Sequence, residues 1–220
     1  MIIDERKDLS LTTKPRPSTL MNFFIIVTTV CIAVLYASIF EWILHRYVMH
    51  RKVKFLGFVF DYPYNTHHLV HHDSFSADET YHLGDRPYEV AKTIRMALWN
   101  GPFLTVLASI PSIPFSLWLH TWSVTITCAI TIFAYYCTYE YIHWCMHLPK
   151  ARRIEKGRWF QKLNGHHLLH HRFKGSKNFN VVLPFADWLF GTLMLRAPKP
   201  FEQAKGPSVP DVQPRPITLD

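Results

Sequence analysis

Asn65-Thr-His67-His68-Leu-Val-His71-His72 is answered 99 residues later by Asn164-Gly-His166-His167-Leu-Leu-His170-His171. The two octets share one frame, N-x-H-H-L-x-H-H, and each follows a long apolar stretch. A second pair of motifs stands upstream at nearly the same offset: His45 and His50 in HRYVMH, and His143 and His147 in HWCMH. Each of these has a glutamate before it, Glu41 and Glu140. The pattern reads as two half-sites facing each other across one centre.

Helical spacing explains why the histidines recur as they do. Residues i, i+3 and i+4 share a helical face, so His68, His71 and His72 can converge, as can His167, His170 and His171. His143 and His147 form an i, i+4 pair with the same property. His45 and His50 are five apart and share no face on a regular helix, so that pair requires a helix end or a distortion. Ten convergent imidazoles result, about five for each of two metals, which leaves an open position in an octahedral shell. An all-imidazole set suits iron, zinc, copper or nickel and does not name the metal. His67 and His166 fall one step off the chosen faces and are expected as outer groups. Glu41 and Glu140 are read either as acceptors for an imidazole N–H or as acids that snorkel to the membrane boundary or pair with a nearby arginine.

Working outward, the run from Phe23 to Phe40 is uncharged and long enough for a membrane helix. A signal peptide is the bland alternative, but no small-residue cleavage site follows and the pattern runs on into His-bearing sequence. From Met96 to Trp144 a second apolar region is interrupted by Pro111 and Pro114, which suggests two spans folded as a hairpin. Trp118 and Trp122 then fall at the far interface, with His120 in the loop between them. Phe179 to Leu195 is apolar but carries Asp187 and is too short to span, so it is expected at the interface or against the catalytic region. Residues 1–19 read as a polar arm, 20–195 as the membrane domain and 196–220 as a Pro-rich, flexible tail.

Of 24 Lys and Arg, 20 follow the first span and lie outside the hairpin, on one side of a span-plus-hairpin topology. The positive-inside rule makes that side cytoplasmic, and every His cluster sits on it. The excess of basic residues, and the run Arg152, Arg153, Lys156, Arg158, is more simply a juxtamembrane patch for anionic lipid than a nucleic-acid site. The four cysteines have no CxxC spacing and read as small buried hydrophobes in a reducing or membrane setting. No Gly-rich nucleotide loop and no haem-attachment motif occurs, so electrons are expected from a separate donor protein. A lone membrane-flanking His is ordinarily a satisfied polar residue, and a His-rich tract can be a low-specificity tail. Four clusters at ligand spacing, spread over 127 residues, fit neither description.

With HRYVMH, HLVHH, HWCMH and HHLLHH in this order, and NFNVVLPFADWLFGT (residues 178–192) after them, the chain resembles the fatty acid hydroxylase and sterol desaturase superfamily of integral-membrane di-iron oxygenases. The resemblance covers roughly residues 35–195 and is nearest the fatty acyl 2-hydroxylase branch. It implies an all-α membrane protein of about three to four transmembrane helices under a cytosolic helical cap holding a dimetal centre. It implies two iron ions, with zinc able to occupy the site in purified protein, and molecular oxygen as co-substrate. The expected ligands are His45, His50, His68, His71, His72, His143, His147, His167, His170 and His171. The expected reaction is hydroxylation of a C–H bond on a fatty acyl chain taken from the bilayer. A sterol or carotenoid hydroxylase or desaturase is the alternative within the same chemistry, and a non-enzymatic metal-handling membrane protein the alternative outside it. A bacterial inner membrane and the endoplasmic reticulum both remain open.

Overall fold

The computed structural model describes residues 19–196. The arm expected over 1–19 and the tail over 196–220 therefore lie outside the described residues, except for Thr19, which opens the first helix, and Arg196. Helix α1 (Thr19–Ile43) contains neither Gly nor Pro and runs on without a break into a π-helical turn, Leu44–Met49. A short antiparallel hairpin follows, β1 (Val53–Phe55) and β2 (Phe58–Phe60), then a second π-helical segment, Asn65–His71. Helix α2 (Asn100–Ser109) continues through a 3-10 turn, Ile110–Ser112, into α3 (Ile113–Trp118). Helix α4 (Ser123–His147) then returns along α2, and α5 (Arg158–Arg172) and the short α6 (Phe185–Leu189) close the chain.

The reversal of the α2–α4 hairpin falls at 119–122, where His120 takes a φ of 51°. The two prolines do not close it. Pro111 sits in the 3-10 turn and Pro114 in the first turn of α3, positions where a missing N–H costs little. Trp118 and Trp122 flank the reversal and are exposed, as the sequence suggests.

Two stretches among the described residues are long and apolar enough to cross a membrane, Thr19–Met49 and Asn100–Trp118. Their outward surface is apolar: Leu20, Phe23 and Ile32 on α1 and Val106 on α2 are each at least 60% exposed. Surface of that kind marks a lipid or protein partner. Where α1, α2 and α4 meet, small residues allow close approach: Ala33, Ala37, Ala108 and Cys128 pack with Ile132. Ser112 and Ser116 both reach Thr125, polar links between the hairpin arms. Cys128 and Cys145 are buried as expected, whereas Cys31 and Cys137 lie on outward helix faces. All four are free thiols.

Helices α1 and α4 both deliver their C-terminal ends to one place, where the histidines are. The segment after α5 packs there too. Ser38 Oγ on α1 donates to the Leu183 carbonyl at 2.7 Å, and Trp42 Nε1 donates to Thr192 Oγ1 at 2.9 Å. The stretch 179–195 is thus packed against the site, one of the two placements its sequence allowed.

Candidate metal centre

The structure gathers ten histidines into two buried nests. His45, His50, His67, His72 and His170 form the first, and His71, His143, His147, His167 and His171 form the second. Within each nest the five candidate donor atoms lie within 4.8 Å of one another. In the first, Nε2–Nε2 separations run 2.9 Å (His45–His67), 3.2 Å (His67–His72), 3.1 Å (His72–His170) and 3.1 Å (His170–His50). In the second, His167 Nε2 lies 3.1 Å from that of His147 and 3.0 Å from that of His171. A metal bound by imidazole at about 2.1 Å puts adjacent octahedral donors about 3.0 Å apart and opposite ones about 4.2 Å apart. The nests have those dimensions.

Hydrogen bonding explains why the Nε2 atoms can face inward together. The other ring nitrogen of several members is committed to a backbone carbonyl. His170 Nδ1 reaches Lys177 O at 2.9 Å and His147 Nδ1 reaches Tyr81 O at 2.8 Å, while His45 and His171 do the same to Phe179 O and Phe75 O. A carbonyl can only accept, so these Nδ1 atoms carry the proton and each Nε2 presents a lone pair. Burial, reinforced by neighbouring imidazoles, holds His50, His67, His71, His72, His167 and His171 below the usual histidine range. His170 is lowered to about 4, chiefly by burial. All are therefore neutral near pH 7, the form that ligates. His71 Nε2 and His143 Nε2 are buried without any hydrogen-bond partner. Orphaned lone pairs of this kind are costly unless a cation takes them up. The residues fit a pair of metal ions.

The geometry replaces one expected donor. His67 stands in the first nest, and His68 stands outside it, half-exposed and stacked on Tyr64 with ring centroids 5.0 Å apart. The cause is the π-helical turn. The backbone N–H of His72 bonds the carbonyl of His67, an i+5 link that puts these two side chains on one face. The same device answers the spacing of the first motif, because His50 N–H donates to His45 O at 3.1 Å within Leu44–His50. The second octet is an ordinary α-helix, so there the i, i+4 pair His167 and His171 shares the face, as His143 and His147 do. His68 retains an outer contact, its Nδ1 lying 2.8 Å from Nδ1 of His50. The other nine expected donors are in the nests.

Each nest is completed from the opposite half of the chain. His170 of the second octet joins the first nest and His71 of the first octet joins the second. Adjacent residues of a single turn therefore serve different nests, and the rings of His72 and His171 lie 4.3 Å apart, centroid to centroid. The two centres are immediate neighbours. Gly175, at φ +76°, lets the loop after α5 close over His50, since a Cβ there would meet His50 Nδ1 at 2.9 Å.

Neither glutamate touches an imidazole. Glu41 accepts from Tyr135 Oη at 2.7 Å, Asn180 Nδ2 at 3.0 Å and the Val181 amide at 2.6 Å, which ties α1 to the segment after α5. Glu140 faces Tyr136 and the Met96 backbone, with Arg95 near it. His166 lies outside both nests, and its Nε2 lies 3.1 Å from Asp187 Oδ2. Asp187 is the residue that motif reading passed over. Fully buried, it also accepts from the amides of Phe179 at 2.9 Å and Asn180 at 2.8 Å and from Thr192 Oγ1 at 2.6 Å. Burial alone would raise its pKa, but these donors hold it below the usual carboxylate range. It fixes the loop whose Phe179 carbonyl orients His45. A lone acid in an apolar run was the available signal.

A cavity opens from the first nest into the helices. It is lined by His45, Ala37, Phe40, Met96, Ile132 and Tyr139 among others, holds about 70 Å3 and is almost wholly apolar. Further along α1 a groove of about 460 Å3, lined by Ile32, Ala33, Ala108, Phe115 and Cys128 among others, runs toward the far end of the helices.

A family model described as Fatty acid hydroxylase matches residues 30–192. No curated protein and no solved structure matches the chain.

Proposed function

The chain belongs to the fatty acid hydroxylase family, and on that premise we propose that it is a membrane enzyme that hydroxylates an unactivated C–H bond of a fatty acyl chain, using molecular oxygen and two iron ions. The observation that carries this reading is the pair of five-imidazole nests with Nε2 atoms at octahedral-edge spacing. Iron held there would supply the activation of oxygen that such a C–H bond demands. The chain's own residues do the rest. Ten neutral imidazoles form the donor set, and the carbonyls of Phe75, Tyr81, Lys177 and Phe179 hold the Nδ1 protons on the outer side. Phe179 and Phe75, both fully buried, pack against the nests and keep water away from them.

The apolar cavity beside His45 gives an acyl chain a route from the bilayer to the first nest. Helix α4 serves as a third span in this reading: at 25 residues it is about 37 Å long, and it runs parallel to α1. Parallel spans separated by one antiparallel arm put both His-bearing ends on the same side, and the basic residues of that side make it cytoplasmic. Electrons come from a separate donor protein.

The test is metal stoichiometry on detergent-purified protein, with Mössbauer spectra of iron-57-grown material and mass spectrometry of host lipids. About two exchange-coupled irons per chain and a hydroxylated acyl product are expected. One metal per chain or none, or unaltered lipids with an intact iron pair and a supplied reductant, would overturn the reading.

A further inference from the structure

Three residues after the first membrane helix ends, the chain builds a structure that the metal centre does not use. Strands β1 and β2 pair with Val53 opposite Phe60 and Lys54 opposite Val59, turning through Leu56 and Gly57, both at positive φ. Residues opposite one another share a face and neighbours along a strand alternate, so Val53, Phe58 and Phe60 fall on one side and Lys54 on the other. The apolar side and the tip are uncovered: Leu56 is 82% exposed, Phe58 79% and Phe60 52%. An isolated two-stranded ribbon is marginal in water and gains stability when its apolar face is packed against something. No described residue covers that face.

Position and charge identify the partner. Only His50 to Lys52 separate the hairpin from Met49, where the membrane-length helix ends, so the ribbon starts at the level of that helix end. Arg51, Lys52 and Lys54 are all exposed there, and the Arg51 guanidinium sits 5.2 Å from the Tyr47 ring. Basic side chains at the base with aromatic and aliphatic ones at the tip match the charge order of an anionic leaflet, phosphates outside and acyl chains within. Three-residue strands are about 10 Å long, and amphipathic elements that lie in an interface sink about 5–10 Å. We propose that the 53–60 hairpin dips into the anionic leaflet on the His-bearing side of the membrane, as a second anchor beside the first span. It holds the π-helical Asn65–His71 segment, which follows closely along the chain, at a set height over the bilayer surface.

The test is photocrosslinking of the full-length chain in its host membrane, with p-benzoylphenylalanine at position 58 and, separately, at position 54, followed by mass spectrometry of the adducts. Variants enter the comparison only if they keep the wild-type metal content and detergent elution. Phe58→p-benzoylphenylalanine is expected to attach to phospholipid acyl chains, with lipid adduct several-fold above that from Lys54→p-benzoylphenylalanine. Adding K52E and K54E to the position-58 probe should cut the lipid adduct several-fold. Adducts to another protein, to a second copy of this chain or to water only, or equal lipid yield from the two positions, would overturn the proposal.

Discussion

Replacing His67 and His68 one at a time separates the nest seen in the structure from the one that helical periodicity alone suggests. His67 Nε2 stands 2.9 Å from His45 Nε2 and 3.2 Å from His72 Nε2, so His67→Ala removes one of five donors from the first nest. His68 is hydrogen-bonded to that nest through Nδ1 of His50, at 2.8 Å, and is half-exposed. Losing an outer partner of a ligand costs 10–100-fold in metal affinity, so His68→Ala is expected near the lower figure, about tenfold or ~1.4 kcal/mol. Losing a donor costs more than losing its outer partner, so His67→Ala is expected beyond about 100-fold, ~2.8 kcal/mol or greater, at one centre. The second nest keeps all five of its donors in both variants. Elemental analysis after dialysis against a graded chelator reads the difference: about one metal per chain for His67→Ala and about two for His68→Ala. A His68→Ala protein that loses a metal while His67→Ala keeps both would refute the π-helical register and everything argued from it.

Asp187→Ala strands four buried donors and is expected to cost about 3–5 kcal/mol of stability, with weaker metal binding because the Phe179 carbonyl loses its anchor; an unchanged thermal midpoint in detergent would contradict the role given to it. Gly101→Ala puts a Cβ 2.6 Å from Tyr136 Cε1, so the ring beside the His45 cavity must move, at about 1–3 kcal/mol. In a Tyr136→Ala background the same Gly101→Ala change should cost much less, and an equal cost there would show that the clash is not with this ring. For pH, the folded pKa values of His167, His170 and His171 lie below the ordinary 6.5, with His170 near 4, so the unfolded chain takes up protons first on acidification. Stability of the metal-free protein is then complete above about pH 6.5 and falls as pH drops toward 4, and metal release follows the same direction. Equal melting temperatures at pH 7 and pH 4.5 would refute the burial of these rings in neutral form.

What the residues alone determine is the donor chemistry and its rough position. The repeated octets, the His143–His147 pair and the uncharged run 23–40 are local patterns, and local patterns carry helical periodicity and membrane length without further information. Nine of the ten nest residues follow from i, i+3 and i+4 spacing or from the bare presence of His45 and His50. The tenth does not, because a face depends on residues per turn. One π-helical turn in Asn65–His71 gives two nearly identical octets different registers, bringing in His67 and turning out His68. Nothing in NTHHLVHH against NGHHLLHH announces it, since the turn is held by packing and by convergence on a shared centre. The tertiary structure alone also decides that His71 and His170 cross to the opposite nests, and that Asp187, rather than either glutamate, braces the site. Such contacts join residues distant in the chain, His50 and His170 being 120 apart, and only the assembled helices bring them within reach.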